Sequence, residues 1–67
     1  MTPAELLELR NAGVITDREH DVLLLRAKGL SQWQIALALD LSRWAVRDRA
    51  KNGNRKIELH HRKEHAA

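Results

Sequence analysis

The chain has 67 residues, which is enough for one small domain with a modest apolar core. It contains no cysteine, and this excludes a disulfide framework and a thiolate metal site. No apolar run is long enough to cross a bilayer, and the acidic N-terminal segment lacks the pattern of a signal peptide, so we expect a cytoplasmic protein.

The net charge of +3 conceals a change of sign along the chain. Residues 1–41 carry four Lys or Arg against six Asp or Glu, whereas residues 42–67 carry eight against three. A basic C-terminal part can be a merely solvated tail, but its coincidence with the helical motif described below favours a polyanionic partner.

Three predicted helices begin with a hydroxyl residue that is followed three positions later by Glu or Gln, the pattern of a capping box. The pairs are Thr2 with Glu5, Thr16 with Glu19, and Ser31 with Gln34. The first helix is predicted over residues 3–12, with Pro3 in its first turn and a left-handed end at Gly13. The second is predicted over 17–28, before Gly29, and the third over 32–39.

A fourth helix is predicted to start after Ser42 and to continue at least to Ile57, with a weak point at Gly53 where a bend or fraying is expected. Only Asp40 and Leu41 separate the third helix from Ser42, and so short a turn forces two helices to cross steeply. The pattern therefore predicts an all-α fold, a tri-helical helix-turn-helix core with an additional N-terminal helix. We divide the chain into an N-terminal helix (1–14), this core (15–58) and a basic, His-rich tail (59–67).

Helical periodicity separates a core face from an outer face on the last two helices. The core faces comprise Ile35, Ala36 and Leu39 on the third helix, and Val46, Ala50, Gly53 and Ile57 on the fourth. Trp33 and Leu37 point away from that core. Either the first helix or Leu24 covers them, or they form a patch for a partner protein together with Leu6, Leu7 and Leu9.

Residues 15–57 resemble the LuxR-type DNA-binding domain and its relative, the promoter-reading fourth region of sigma factors. The resemblance is carried by Thr-x-Arg-Glu at 16–19, Ala-x-Gly-x-Ser at 27–31 and Ile-Ala-x-x-Leu at 35–39, followed by Leu-Ser at 41–42 and Val-Arg at 46–47. The chain departs from the family pattern at Asp40, where Gly is usual, and at Ala45, where Thr is usual.

The resemblance and the charge distribution together predict a double-stranded DNA-binding protein whose fourth helix enters the major groove. Base contacts are expected from Arg43, Trp44, Arg47, Asp48 and Lys51. Phosphate contacts are expected from Ser31, Gln32, Trp33, Ser42, Arg49, Arg55 and Lys56.

Several of these residues have simpler interpretations, which the sequence leaves open. The two serines can serve as caps alone, Trp44 can lie on neighbouring side chains, and Asp48 can pair with Lys51. Arg49 can fold over the edge of the core.

The leading hypothesis is a small stand-alone transcriptional regulator, acting as a homodimer or with a partner. The alternatives are an adaptor that binds RNA polymerase or another protein, and a DNA-architectural factor in recombination or packaging. No enzymatic activity or cofactor is expected, because the serines are caps and the chain is too short for a sheltered pocket. His61 and His65 have a metal-compatible spacing but no fixed third ligand, so no metal site is expected.

Overall fold

Four α-helices make up the computed structural model, which describes residues 1–65 apart from the side chain of His65. They are α1 (Pro3–Asn11), α2 (Asp17–Ala27), α3 (Gln32–Leu39) and α4 (Arg43–His65). The described residues contain no strand, and the all-α fold predicted from the sequence is confirmed.

Capping boxes begin the first three helices, as predicted. In each box the hydroxyl oxygen accepts the backbone N–H three residues later at 3.2 Å, and the Glu or Gln side chain accepts the N–H of the cap residue. This second bond is 3.2 Å long at Thr2, 2.9 Å at Thr16 and 2.8 Å at Ser31. Two of the backbone N–H groups at each of these helix starts are thus satisfied locally.

Left-handed residues follow the first three helices. Gly13 has φ +76° and Gly29 has φ +94°, and Asp40 adopts the same region at φ +53°. Asp40 is the one non-glycine residue with positive φ among those described. It allows the Leu41 N–H to donate to the Ala36 carbonyl at 2.9 Å, which closes the turn of the helix-turn-helix.

The core lies where α2 packs against α4, with α1 packed on α2 and with α3 packed on both α2 and α4. Ile35, Val22 and Val46 are its most completely buried large side chains. The other buried apolar residues are Leu6, Leu9, Ile15, Leu23, Ala36, Ala50 and Ile57. The predicted core faces of α3 and α4 are therefore confirmed, with Leu39 only partly buried.

Helix α4 continues without a break through Gly53, so the fraying expected there is wrong. Gly53 is buried against α2, and a Cβ added to it would stand 2.8 Å from Leu23 Cδ1. The glycine thus permits a close crossing of the two helices, and their packing holds the helix together at this point. The helix also runs past residue 58 to His65, so no helix end marks the division between core and tail.

The apolar residues of α1 do not cover α3. Leu6 and Leu9 are buried in the core, and Leu7 is exposed on α1. Trp33 is 58% exposed and Leu37 is 64% exposed. The expectation that α1 or Leu24 shields these two residues is wrong, and the five residues proposed from the sequence do not all reach the surface.

No helix within residues 1–65 combines the length and the apolar character needed to cross a membrane.

Candidate nucleic-acid interface

The outer face of α4 presents a row of cationic side chains. Arg43, Arg47, Lys51 and Arg55 are exposed and recur every four residues, so that each lies next to the following one on the helix surface, whereas Val46, Ala50 and Ile57 are buried. At a rise of 1.5 Å per residue the row is about 18 Å long. We call these four residues the basic row.

The basic row carries charge that is not neutralised within the domain. None of its four side chains forms a hydrogen bond or an ion pair with any residue in the described part of the chain. Their N–H groups are therefore available to base edges or phosphate oxygens. Trp44, 73% exposed, lies in the first turn of α4 beside the start of the row.

Asp48 interrupts the positive surface, but it does not pair with Lys51 as one interpretation of the sequence proposed. Its Oδ2 lies 3.4 Å from Arg49 Nη1 and accepts from Asn52 Nδ2 at 3.3 Å. All three side chains are partly buried. Asp48 Oδ1 and the other N–H groups of Arg49 take no part in these contacts, so the base and phosphate contacts predicted for the two residues stay predictions.

Lys56 is an internal partner, in contrast to the phosphate contact predicted from the sequence. Its Nζ lies 3.0 Å from both carboxylate oxygens of Glu19, which is buried in α2. Burial alone would raise the pKa of Glu19, but the hydrogen bond from the Thr16 N–H and the ammonium of Lys56 outweigh it and lower that pKa. Lys56 is thus needed where it is, because without it the carboxylate would be buried next to no cation.

The start of α3 is tied to the start of α4 by Gln32. Its side-chain Nε2 donates to the Arg43 backbone carbonyl at 2.7 Å. The sequence predicted that Gln32 would contact phosphate, whereas the structure gives it a contact that joins the two helices of the motif. A second Nε2 hydrogen remains free for another acceptor.

Ser31 and Ser42 both act as caps. Ser42 Oγ accepts the Ala45 N–H at 3.0 Å, and Ser31 Oγ accepts the Gln34 N–H at 3.2 Å. The capping interpretation is therefore confirmed for both serines. Each hydroxyl still has its own hydrogen to donate, so capping does not prevent the phosphate contacts predicted for them.

A cleft of about 270 Å³ lies where α2 ends and α3 begins, beside the first turns of α4. The sequence analysis did not select one of its residues, Arg26, which lines it together with Arg47. In the sequence, Arg26 is a lone cation in the last turn of α2, where a basic residue is common because it compensates the helix dipole. Only the crossing of α2 and α4 brings it beside Arg47.

Trp33 and Leu37 form a small apolar surface on α3, one turn apart on the same side of the helix. They are exposed together with the polar Gln34 and the small Ala38. Large apolar side chains in this arrangement are typical of contact surfaces for other molecules.

Within the described residues, no three His, Asp or Glu side chains are placed so that they could hold a metal ion. His61 lines a second cleft with Glu5, Glu8 and Glu64 between α1 and the end of α4. The side chain of His65, its proposed partner, lies outside the described residues.

The comparison with protein families supports the resemblance seen in the sequence. A model of bacterial regulatory proteins of the luxR family matches residues 13–67, which is more than half of the chain. No match was found among curated proteins or solved structures. The matched region contains α2, α3 and the whole of α4, and therefore both helices of the motif and the basic row. The chain belongs to the luxR family of bacterial regulatory proteins, whose helix-turn-helix domains bind DNA and regulate transcription.

Proposed function

We propose that this protein is a sequence-specific double-stranded DNA-binding protein that acts as a small stand-alone transcriptional regulator in the cytoplasm. The observation that carries the proposal is the basic row, Arg43, Arg47, Lys51 and Arg55, which is exposed and unpaired within the described residues. It begins in the first turn of α4, which is the part of a recognition helix that reaches furthest into a major groove.

Base reading is assigned to Arg43, Trp44 and Arg47, with Asp48 and Lys51 further along the helix. Arg47 is the strongest candidate, because an exposed guanidinium without an internal partner can donate two parallel hydrogen bonds to O6 and N7 of guanine. Such a pair discriminates against other bases by about 1–3 kcal/mol. Trp44 offers an apolar surface for a thymine methyl group or a sugar.

Phosphate binding is assigned to the ends of the motif. Arg55 lies further along the basic row, and Ser31, Trp33 and Ser42 lie at the starts of α3 and α4, where free backbone N–H groups also favour anions. Each phosphate that a Lys or Arg neutralises would make the plot of log affinity against log salt steeper by about 0.9. Lys56 is left out of this set because it is paired with Glu19.

A homodimer is the form in which we expect tight binding. One helix-turn-helix reads only a few base pairs, and two copies related by a two-fold axis double the number of contacts.

The test is selection of duplexes from a random pool, followed by measurement of affinity for wild type and Arg47→Ala over a series of salt concentrations. We expect Arg47→Ala to weaken binding to the selected duplex by about 5- to 150-fold and to relax preference at one or two positions. Arg18→Ala is the matched control, since Arg18 is an exposed arginine in the first turn of α2. Salt-dependent binding without any preference would instead support an architectural role in recombination or packaging.

A second candidate function is supported by the exposed Trp33 and Leu37. In this alternative the protein is an adaptor, and these side chains contact RNA polymerase or another protein. Absence of duplex binding at low salt, together with loss of partner binding in Leu37→Gln, would favour the adaptor.

A further inference from the structure

The cleft between α2, α3 and α4 adds a third helix to the DNA-binding surface. We propose that Arg26, at the end of α2, binds a phosphodiester group of the DNA backbone beside the groove that α4 enters. This inference rests on the proposed function and assigns a new contact to it.

The shape of the cleft suits a charged group that approaches from solvent. Its floor is apolar, with the buried Val46 and the half-buried Leu30, whereas its rim is polar and exposed. The rim residues are Arg26 from α2, Ser31 just before α3, Gln32 from α3 and Arg47 from α4.

The charges of the cleft are unbalanced. Two arginines line it and no acidic residue does. Neither arginine side chain forms an ion pair or a hydrogen bond within the part of the chain that the structure describes. Two like charges on one cleft repel each other, and an anion between them replaces this repulsion with two attractions.

The hydrogen-bond donors also match a phosphate. Each guanidinium offers a planar set of N–H groups that pairs well with two phosphate oxygens. Ser31 retains its hydroxyl hydrogen after capping α3, and Gln32 retains one amide hydrogen after donating to Arg43. All of these groups donate, which is what an acceptor-only ligand requires.

The anion belongs to a polymer rather than being free phosphate. Arg47 is both a rim residue of the cleft and a member of the basic row, so the positive surface continues from the cleft to Lys51 and Arg55. Such a continuous row favours a ligand with repeated negative charges. Because a phosphate contact carries no sequence information, Arg26 supports affinity and register without affecting base preference.

The experiment compares wild type with Arg26→Gln on two duplexes of equal length, the selected sequence and a scrambled one, by fluorescence anisotropy over a series of salt concentrations. We expect Arg26→Gln to weaken binding to both duplexes by the same factor, about twofold to tenfold. The slope of log affinity against log salt should become shallower by about 0.9, the loss of one phosphate contact. Arg18→Gln, in the first turn of the same helix and about 12 Å from Arg26 along the axis, should keep the wild-type slope.

A second arm identifies the phosphate itself. Each phosphate of the selected duplex is replaced in turn by a neutral methylphosphonate. At the phosphate that Arg26 contacts, the replacement should weaken DNA binding by wild type and should have little further effect on DNA binding by Arg26→Gln. Because Arg26 is exposed, the variant should melt at the wild-type temperature by circular dichroism.

Two results would overturn the inference while the proposed function stands: a wild-type salt slope in Arg26→Gln, or a loss of affinity on the selected duplex alone. The second would make Arg26 a base-reading residue. If wild type itself binds no duplex at low salt, the proposed function fails and the inference fails with it.

Discussion

Gly53 sets the distance between α4 and α2, and its replacement by alanine tests how tightly the two helices pack. A Cβ at this position would lie 2.8 Å from Leu23 Cδ1 and 3.4 Å from Glu19 Cβ. Carbon atoms in folded proteins do not approach to 2.8 Å, so a group must move. Leu23 is only 7% exposed, and its Cδ1 is the atom that must shift to make room for the new carbon.

Two opposing terms determine the effect of Gly53→Ala. Alanine in a helix interior is favoured over glycine by about 1 kcal/mol. Overpacking of a close-packed core by an added carbon costs about 1–3 kcal/mol. We therefore expect the free energy of unfolding to fall by about 1 kcal/mol, which lowers Tm by about 4–8 °C in a chain of this size.

Thermal and urea unfolding followed by far-ultraviolet circular dichroism measures this change. Fluorescence is a poor probe here, because Trp33 and Trp44 are both largely exposed in the folded protein. Comparison of Asn54→Ala with Asn54→Gly, at an exposed position of the same turn, measures the helix preference without the packing term.

The decisive experiment repeats Gly53→Ala in a Leu23→Val background. Valine has no Cδ atom, so the closest contact disappears and the helix preference of alanine should make Gly53→Ala stabilising by about 1 kcal/mol. The reasoning is refuted if Gly53→Ala stabilises the wild-type protein, and by the same amount when Leu23 is valine.

Three further predictions concern individual contacts. Glu19→Gln should lower the free energy of unfolding by about 1 kcal/mol at neutral pH, because the ammonium of the half-exposed Lys56 loses its carboxylate partner. The loss is limited because the amide oxygen of glutamine can still accept the Thr16 N–H. The folded-state pKa of Glu19 lies below its usual value of 4.5, so this contribution is present above that pH and is lost as the pH falls through the lowered pKa. Urea unfolding of wild type and Glu19→Gln should therefore show the difference in their unfolding free energies shrink as the pH becomes more acidic. Asp40→Gly should raise Tm and Asp40→Ala should lower it, because the residue has φ +53° and glycine adopts that region with least strain. Ser42→Ala should cost about 1 kcal/mol in unfolding free energy by removing the acceptor of the Ala45 N–H, whereas Ser42→Asp should keep most of it.

The elements of this fold are predictable from the sequence because their signals are local. A capping box needs only four consecutive residues, and the predicted starts of α2 and α3 agree with the structure. The internal role of Lys56 is not local, since its partner Glu19 is 37 positions away. From the sequence alone Lys56 is one more cation on a basic helix, and the crossing of α2 and α4 decides that it faces inward.

The same limit explains why the sequence indicated neither the contact of Gln32 with Arg43 nor the position of Arg26 beside the motif. Gln32 is a hydrogen-bond donor at a helix start, where phosphate ligands are common, but its amide group donates to the Arg43 carbonyl, eleven positions away. Arg26 acquires a neighbour of like charge only through the arrangement of three helices around one cleft. Side-chain partners between helices depend on the angle of crossing, which hydrophobic periodicity does not specify.

The base reading that we propose depends on the orientation of α4, and apolar packing alone does not determine that orientation. Hydrophobic contacts are not directional, so a small core tolerates some rotation of a helix about its axis. Three contacts restrict the rotation of α4. Gln32 donates a hydrogen bond to the Arg43 carbonyl at the start of the helix, Gly53 lies in close contact with α2, and Lys56 pairs with Glu19. These points span about 20 Å of the helix. A rotation that turned Arg47 to another direction would break the first and third contacts and force Gly53 away from Leu23, so the inner face of α4 fixes the direction in which its outer face points.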